Sequence, residues 1–125
     1  MISKNTHSIL VALSETTPHA DIINSLRASK YNLLEPKTGG DIIQALYEHP
    51  EIDLILITID FSGMNGIETI LAIREQDIKL PIILLFNHVT IESVRLALQI
   101  GCNEVLQSPV SNETLEAVIL KYLKN

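Results

Sequence analysis

The chain has 125 residues, 46% hydrophobic and 19% charged, with a formal net charge of −6. That length suits one domain with a sizeable core, and the apolar content excludes a disordered chain. The mean hydropathy of +0.26 comes from short apolar runs, all well below the ~20 residues that cross a bilayer. Met1-Ile2-Ser3-Lys4-Asn5 carries no charged-then-apolar leader pattern, so a cytoplasmic location is expected and a membrane role is not. Lys and Arg are scattered without a basic stripe, which argues against nucleic-acid binding. The single cysteine, Cys102, has no partner for a disulfide or a zinc site and reads as a small core residue.

Strand and helix patterns alternate along the chain, as in a parallel sheet covered by helices on both faces. Ile9-Leu10-Val11-Ala12-Leu13 is a continuous apolar run, as expected of a central strand. Thr17-Pro18 opens a helix, with Thr as cap and Pro in the first turn; Ile22, Ile23 and Leu26 then recur at helical spacing. Residues 32–35 form a short strand stopped by Pro36, and Lys37-Thr38-Gly39-Gly40 is a turn into a helix over 41–48. That turn lacks the spacing of a phosphate-binding loop.

Residues 53–59 make the most apolar strand. Met64-Asn65-Gly66 leads into a third helix whose core face carries Ile67, Ile70 and Leu71, with Arg74 at its polar edge. Residues 81–86 are the fourth strand. In the fourth helix, which stops at Gly101, Ile91, Val94, Ala97 and Leu98 are expected to face the core, leaving Leu96 and Ile100 outside. Residues 104–107 are the fifth strand. Ser111 caps the last helix, lined by Leu115, Val118, Ile119 and Tyr122. His7, His19, His49 and His88 match no metal-ligand spacing and read as solvated surface residues.

Three stretches in order carry a resemblance. Asp53-Leu54-Ile55-Leu56-Ile57-Thr58 followed by Ser62-Gly63-Met64-Asn65-Gly66 resembles the phosphoacceptor strand and loop of bacterial response-regulator receiver domains (CheY-like). Pro81-Ile82-Ile83-Leu84-Leu85 resembles their fourth strand, and Gly101-Cys102-Asn103-Glu104-Val105-Leu106-Gln107-Ser108-Pro109 their fifth. The resemblance spans essentially the whole chain. It implies one flavodoxin-like domain over residues 1–125, a three-layer sandwich with a five-stranded parallel sheet in the order 2-1-3-4-5.

Where this chain departs from the pattern, it departs at the chemistry. The acceptor aspartate is replaced by Thr58, and the acidic pair that holds Mg²⁺ by Leu13 and Ser14. Phe86 stands for the switch hydroxyl, Ser108 for the lysine, and Val105 for the rotating aromatic. A hydroxyl cannot form an acyl phosphate, and no base lies beside Thr58 in sequence to activate it. Mg²⁺ favours carboxylates, and phosphoryl transfer needs cations to neutralise developing charge. The implied protein is a degenerate pseudo-receiver with no catalytic residue, no metal and no cofactor, acting in two-component signalling by phosphorylation-independent protein contact.

Glu15 and Asp60 are residual acids near the pocket; a receiver phosphorylated at Asp60 is one alternative. A small α/β enzyme or ligand-binding domain using the same crevice is another, with an open polar crevice favouring it and a buried Phe86 ring opposing it. In receivers the fourth helix, fifth strand and fifth helix form the contact surface. Leu96, Ile100 and Val105 are therefore the candidate partner surface, for a histidine kinase, an effector or a homodimer.

Overall fold

The computed structural model describes residues 6–14, 19–59, 66–86 and 90–123. Its elements are β1 (Ser8–Ala12), α1 (His19–Ala28), β2 (Asn32–Leu34), α2 (Gly39–Glu48), β3 (Ile52–Thr58), α3 (Gly66–Glu75), β4 (Ile82–Phe86), α4 (Ile91–Gln99), β5 (Glu104–Gln107) and α5 (Asn112–Tyr122). The strands form one parallel sheet in the order β2-β1-β3-β4-β5. Ile9 pairs with Leu33 on one side and Leu54 on the other, and Thr58 pairs with Leu85. The flavodoxin-like order expected from the sequence is the order observed.

Alternation along the strands builds two cores. Leu10, Ile55, Ile57, Ile82, Leu84 and Phe86 face Ile42 and Leu46 of α2, Ile70 and Ile73 of α3, and Ala97 of α4. Ile9, Val11, Leu54, Leu56, Ile83 and Leu85 face Ile22, Ile23 and Leu26 of α1 and Leu115 and Ile119 of α5. Leu54, Ile55, Leu56 and Ile57 are wholly buried. An unbroken apolar run is needed there because β3 is covered by helices on both faces. Tyr31 adds a polar tie across the second layer, donating to Glu116 of α5 at 2.7 Å; burial and that carboxylate hold its phenol protonated well above the usual tyrosine range.

The Ser111 cap is the one expected from the sequence; Thr38, expected only as part of a turn, caps α2, which starts at Gly39 instead of residue 41. Thr38 Oγ1 accepts from the Asp41 N–H ahead of α2, and Ser111 Oγ accepts from the Thr114 N–H ahead of α5. The Thr17-Pro18 start lies outside the described residues, as do Met64 and Asn65. Gly66 is required by close approach: its N–H meets Ile59 O at 2.6 Å, and a Cβ there would sit 2.7 Å from Ile59 Cα.

Several expected faces are wrong. Leu71 is 42% exposed, and Thr69 and Ile73 hold the core side of α3 with Ile70. In α4 only Ala97 is fully buried, while Ile91 is 73% and Leu98 49% exposed. Ile100 and Val105, expected outside, are half-buried against the α2–α4 core, whereas Leu96 is exposed as expected. The small Ala97 lets α4 lie close to the sheet. That choice turns the neighbours at about 100° to each side, Leu96 and Leu98, outward. His7 is also no free surface group: its Nδ1 lies 3.3 Å from Asp53 Oδ2.

Candidate functional site

The carboxyl ends of β1, β3 and β4 bring Leu13, Ser14, Thr58 and Phe86 to one edge of the sheet, and Ser108 joins them at the end of β5. Thr58 is 2% exposed. Its Oγ1 accepts from the Ser14 N–H at 2.9 Å and donates to Ala12 O at 3.4 Å. The hydroxyl thus binds the end of β1 to the end of β3, with both its donor and an acceptor position in use. Leu13 and Ser14 are buried at 6% and 8% exposure; Leu13 packs into the α1–α5 core.

Phe86 is 2% exposed and packs into the opposite core, beneath α3 and α4. Its ring does not line an open polar crevice. Its carbonyl accepts from the Ser108 N–H at 2.6 Å. Ser108 Oγ is buried and has no hydrogen-bond partner among the described residues. Among the described residues, this strand edge offers hydroxyls, amides and apolar groups but no carboxylate, a poor donor set for Mg²⁺. Glu15, Asp60 and Asn87 lie outside the described residues.

Two concavities lie beside this edge. One, of about 590 Å³, is walled by α1 and the β5–α5 turn, including Asp21, Asn24, Ser108 and Asn112. Ser108 Oγ, being fully buried, is sealed from it. The other, of about 420 Å³, is lined by Thr90, Ile91, Val94, Arg95, Leu98 and Gln107. It puts the two unexpectedly exposed side chains of α4, Ile91 and Leu98, beside edge strand β5. Leu120 of α5 is 58% exposed as well. The helix periodicity had pointed these α4 residues inward, so the groove was missed from sequence.

The other single-residue readings can be placed too. Cys102 is buried, its thiol donates to Glu104 O at 3.0 Å, and burial pushes its pKa up. It is a core residue, as its apolar surroundings implied. Among the described residues no group of His, Cys, Asp and Glu could hold a metal, and no helix is long and apolar enough to cross a membrane.

Comparison with known proteins fits this geometry. The chain is 30% identical over 95 residues to the sensor histidine kinase GacS of Pseudomonas protegens, covering 72% of this chain and 10% of that protein. It is 24% identical over 115 residues to the transcriptional regulatory protein ZraR of Escherichia coli, covering 91% of this chain and 26% of that protein. The chain therefore spans only a tenth to about a quarter of the length of these relatives. Among solved structures, a CheY-like receiver domain from Methanospirillum hungatei superposes with a TM-score of 0.80 at 19% identity, covering 94% of this chain and 93% of that one. Vibrio cholerae CheY4 does so with 0.82 at 20%, covering 94% and 99%. Residues 9–120 match the family described as the response regulator receiver domain. The chain belongs to the response regulator receiver domain family, and its place is in two-component signal transduction.

Proposed function

We propose that this receiver is a pseudo-receiver: it takes no phosphoryl group and signals by docking a partner protein. The observation that carries the reading is the Thr58 hydroxyl, held between the Ser14 N–H and Ala12 O at the position that the sequence resemblance gives to the acceptor. A buried, doubly bonded hydroxyl with no base or cation beside it among the described residues is a poor phosphoryl acceptor. Leu13, Ser14 and Ser108 support the same reading, because none of them supplies a carboxylate for a metal or a cation to neutralise charge. On this reading the domain is not an enzyme, needs no Mg²⁺ or other cofactor, and works in the cytoplasm.

Output runs through α4, β5 and α5. The exposed Ile91 and Leu98 flank the groove against β5, and Leu120 adds apolar surface on α5. The partner is an effector or a histidine kinase of the same signalling system; self-association through this face is the competing outcome.

The test is incubation with acetyl phosphate or beryllofluoride and Mg²⁺, read by intact mass and backbone NMR. The expected result is no adduct and no saturable shift. An adduct mapped to Asp60 would establish instead a receiver with a displaced acceptor. Light scattering of the unaltered chain and of Ile91→Asp and Leu98→Asp variants then reads self-association directly.

A further inference from the structure

The placement of α4 poses a physical question that its packing does not answer. The helix has nine residues and one fully buried side chain, Ala97. So short a helix has little intrinsic stability, and a single alanine gives it a small apolar anchorage. Its N-terminal end is capped within itself, by reciprocal bonds between Thr90 and Ser93. Its C-terminal end is held from outside, by Arg74 of α3.

The Arg74 guanidinium makes four hydrogen bonds. Nε and Nη2 both donate to Gly101 O, at 3.1 and 2.7 Å. Nη1 donates to Ile78 O at 2.7 Å, and Nη2 also reaches Asn103 Oδ1 at 3.0 Å. Asn103 Oδ1 in turn accepts from the Ile82 N–H at 2.9 Å, at the start of β4. One side chain thereby ties the end of α3, the α3–β4 connection, the start of β4 and the turn from α4 into β5.

The fit depends on the shape of both partners. Gly101 has φ of +114°, and a Cβ there would lie 2.9 Å from Arg74 Cγ and Nε. Glycine serves the backbone and clears room for the guanidinium at once. No carboxylate pairs with Arg74 among the described residues. Burial lowers its pKa from the usual guanidinium value, yet arginine stays charged where lysine would not reliably do so. The planar fork also matches three acceptors that a single ammonium cannot span.

We propose that Arg74 is the positioning residue of the α4–β5 face: it clamps the C-terminal end of α4 and so sets the groove that carries Ile91 and Leu98. Its importance for docking rests on the function proposed above; the clamp itself does not.

Amide hydrogen exchange on the full chain tests it without any partner. Residues 100–103 donate through Ile100 N to Leu96 O, Gly101 N to Leu98 O, Cys102 N to Ala97 O and Asn103 N to Ile82 O. In Arg74→Met these four amides are expected to exchange about ten- to a hundredfold faster, the scale of a lost charge-assisted bond, while amides of β1 and β2 stay unchanged. Arg74→Lys is expected to recover part of the protection, since it keeps the charge but not the fork. Equal acceleration in β1, β2 and residues 100–103 would mean a general stabiliser and overturn the proposal. So would unchanged exchange at 100–103, or full recovery by lysine. A phosphoryl adduct on the unaltered chain would overturn the proposed function instead and leave the clamp standing.

Discussion

Thr58→Asp sets an aspartate at the position proposed for the family's acceptor and asks whether that one group is enough. The site is 2% exposed. One donor awaits the new carboxyl, the Ser14 N–H now 2.9 Å from Thr58 Oγ1. Ala12 O, 3.4 Å away on the other side, suits a protonated carboxyl and repels a carboxylate. Ser108 supplies no cation. Burial and the carbonyl therefore raise the pKa above the ~3.9 of a free aspartate. Each pKa unit of that rise costs about 1.4 kcal/mol at neutral pH. Between the unfolded and the raised folded pKa, the folded state binds more protons than the unfolded one, so stability falls as pH rises. Urea unfolding of the variant and the unaltered chain should show a small gap near pH 4 that widens by about 1.4 kcal/mol or more by pH 7. Acetyl phosphate with Mg²⁺ should leave the variant unmodified. A phosphoryl adduct at position 58, or a gap independent of pH, would refute the reasoning.

Two further outcomes follow from the packing and the charges. Phe86→Ala should cost about 3–5 kcal/mol in urea or thermal unfolding, because it empties a wholly buried site between β4 and the α3–α4 layer; a loss below about 1 kcal/mol would mean that the ring is not core. Glu104 accepts from Tyr122 Oη at 2.7 Å and Lys121 Nζ at 3.1 Å. The Tyr122 bond most of all, then Lys121, holds its carboxyl below the usual range against the opposing effect of burial. Its contribution is present above the unfolded carboxyl pKa and is lost as pH falls through the folded one. The stability deficit of Glu104→Gln should accordingly shrink on acidification; a deficit that grows would contradict the assignment.

The match between sequence and structure is uneven for identifiable reasons. β3 was legible because Leu54, Ile55, Leu56 and Ile57 are apolar on both faces, a demand that only a central parallel strand makes. The core side of α1 was legible because Ile22, Ile23 and Leu26 keep one stripe. The fourth helix was not: Ile91, Val94, Leu96, Ala97, Leu98 and Ile100 spread apolar groups round most of its circumference, so periodicity selects no face. At the candidate site, the sequence singled out Leu13, Ser14, Thr58, Phe86 and Ser108 but not that the Thr58 hydroxyl closes a bond between β1 and β3.

The order of elements and the layers of the sheet are written in residue type and spacing, which local propensity and burial read directly. The phase of α4, the groove beside β5 and the grip of Arg74 on Gly101 were decided only by tertiary structure. They depend on which of several apolar arcs finds a matching surface, and on a guanidinium meeting carbonyls as far as 27 positions away. No local pattern encodes a contact at that separation; it exists once the chain has closed around it.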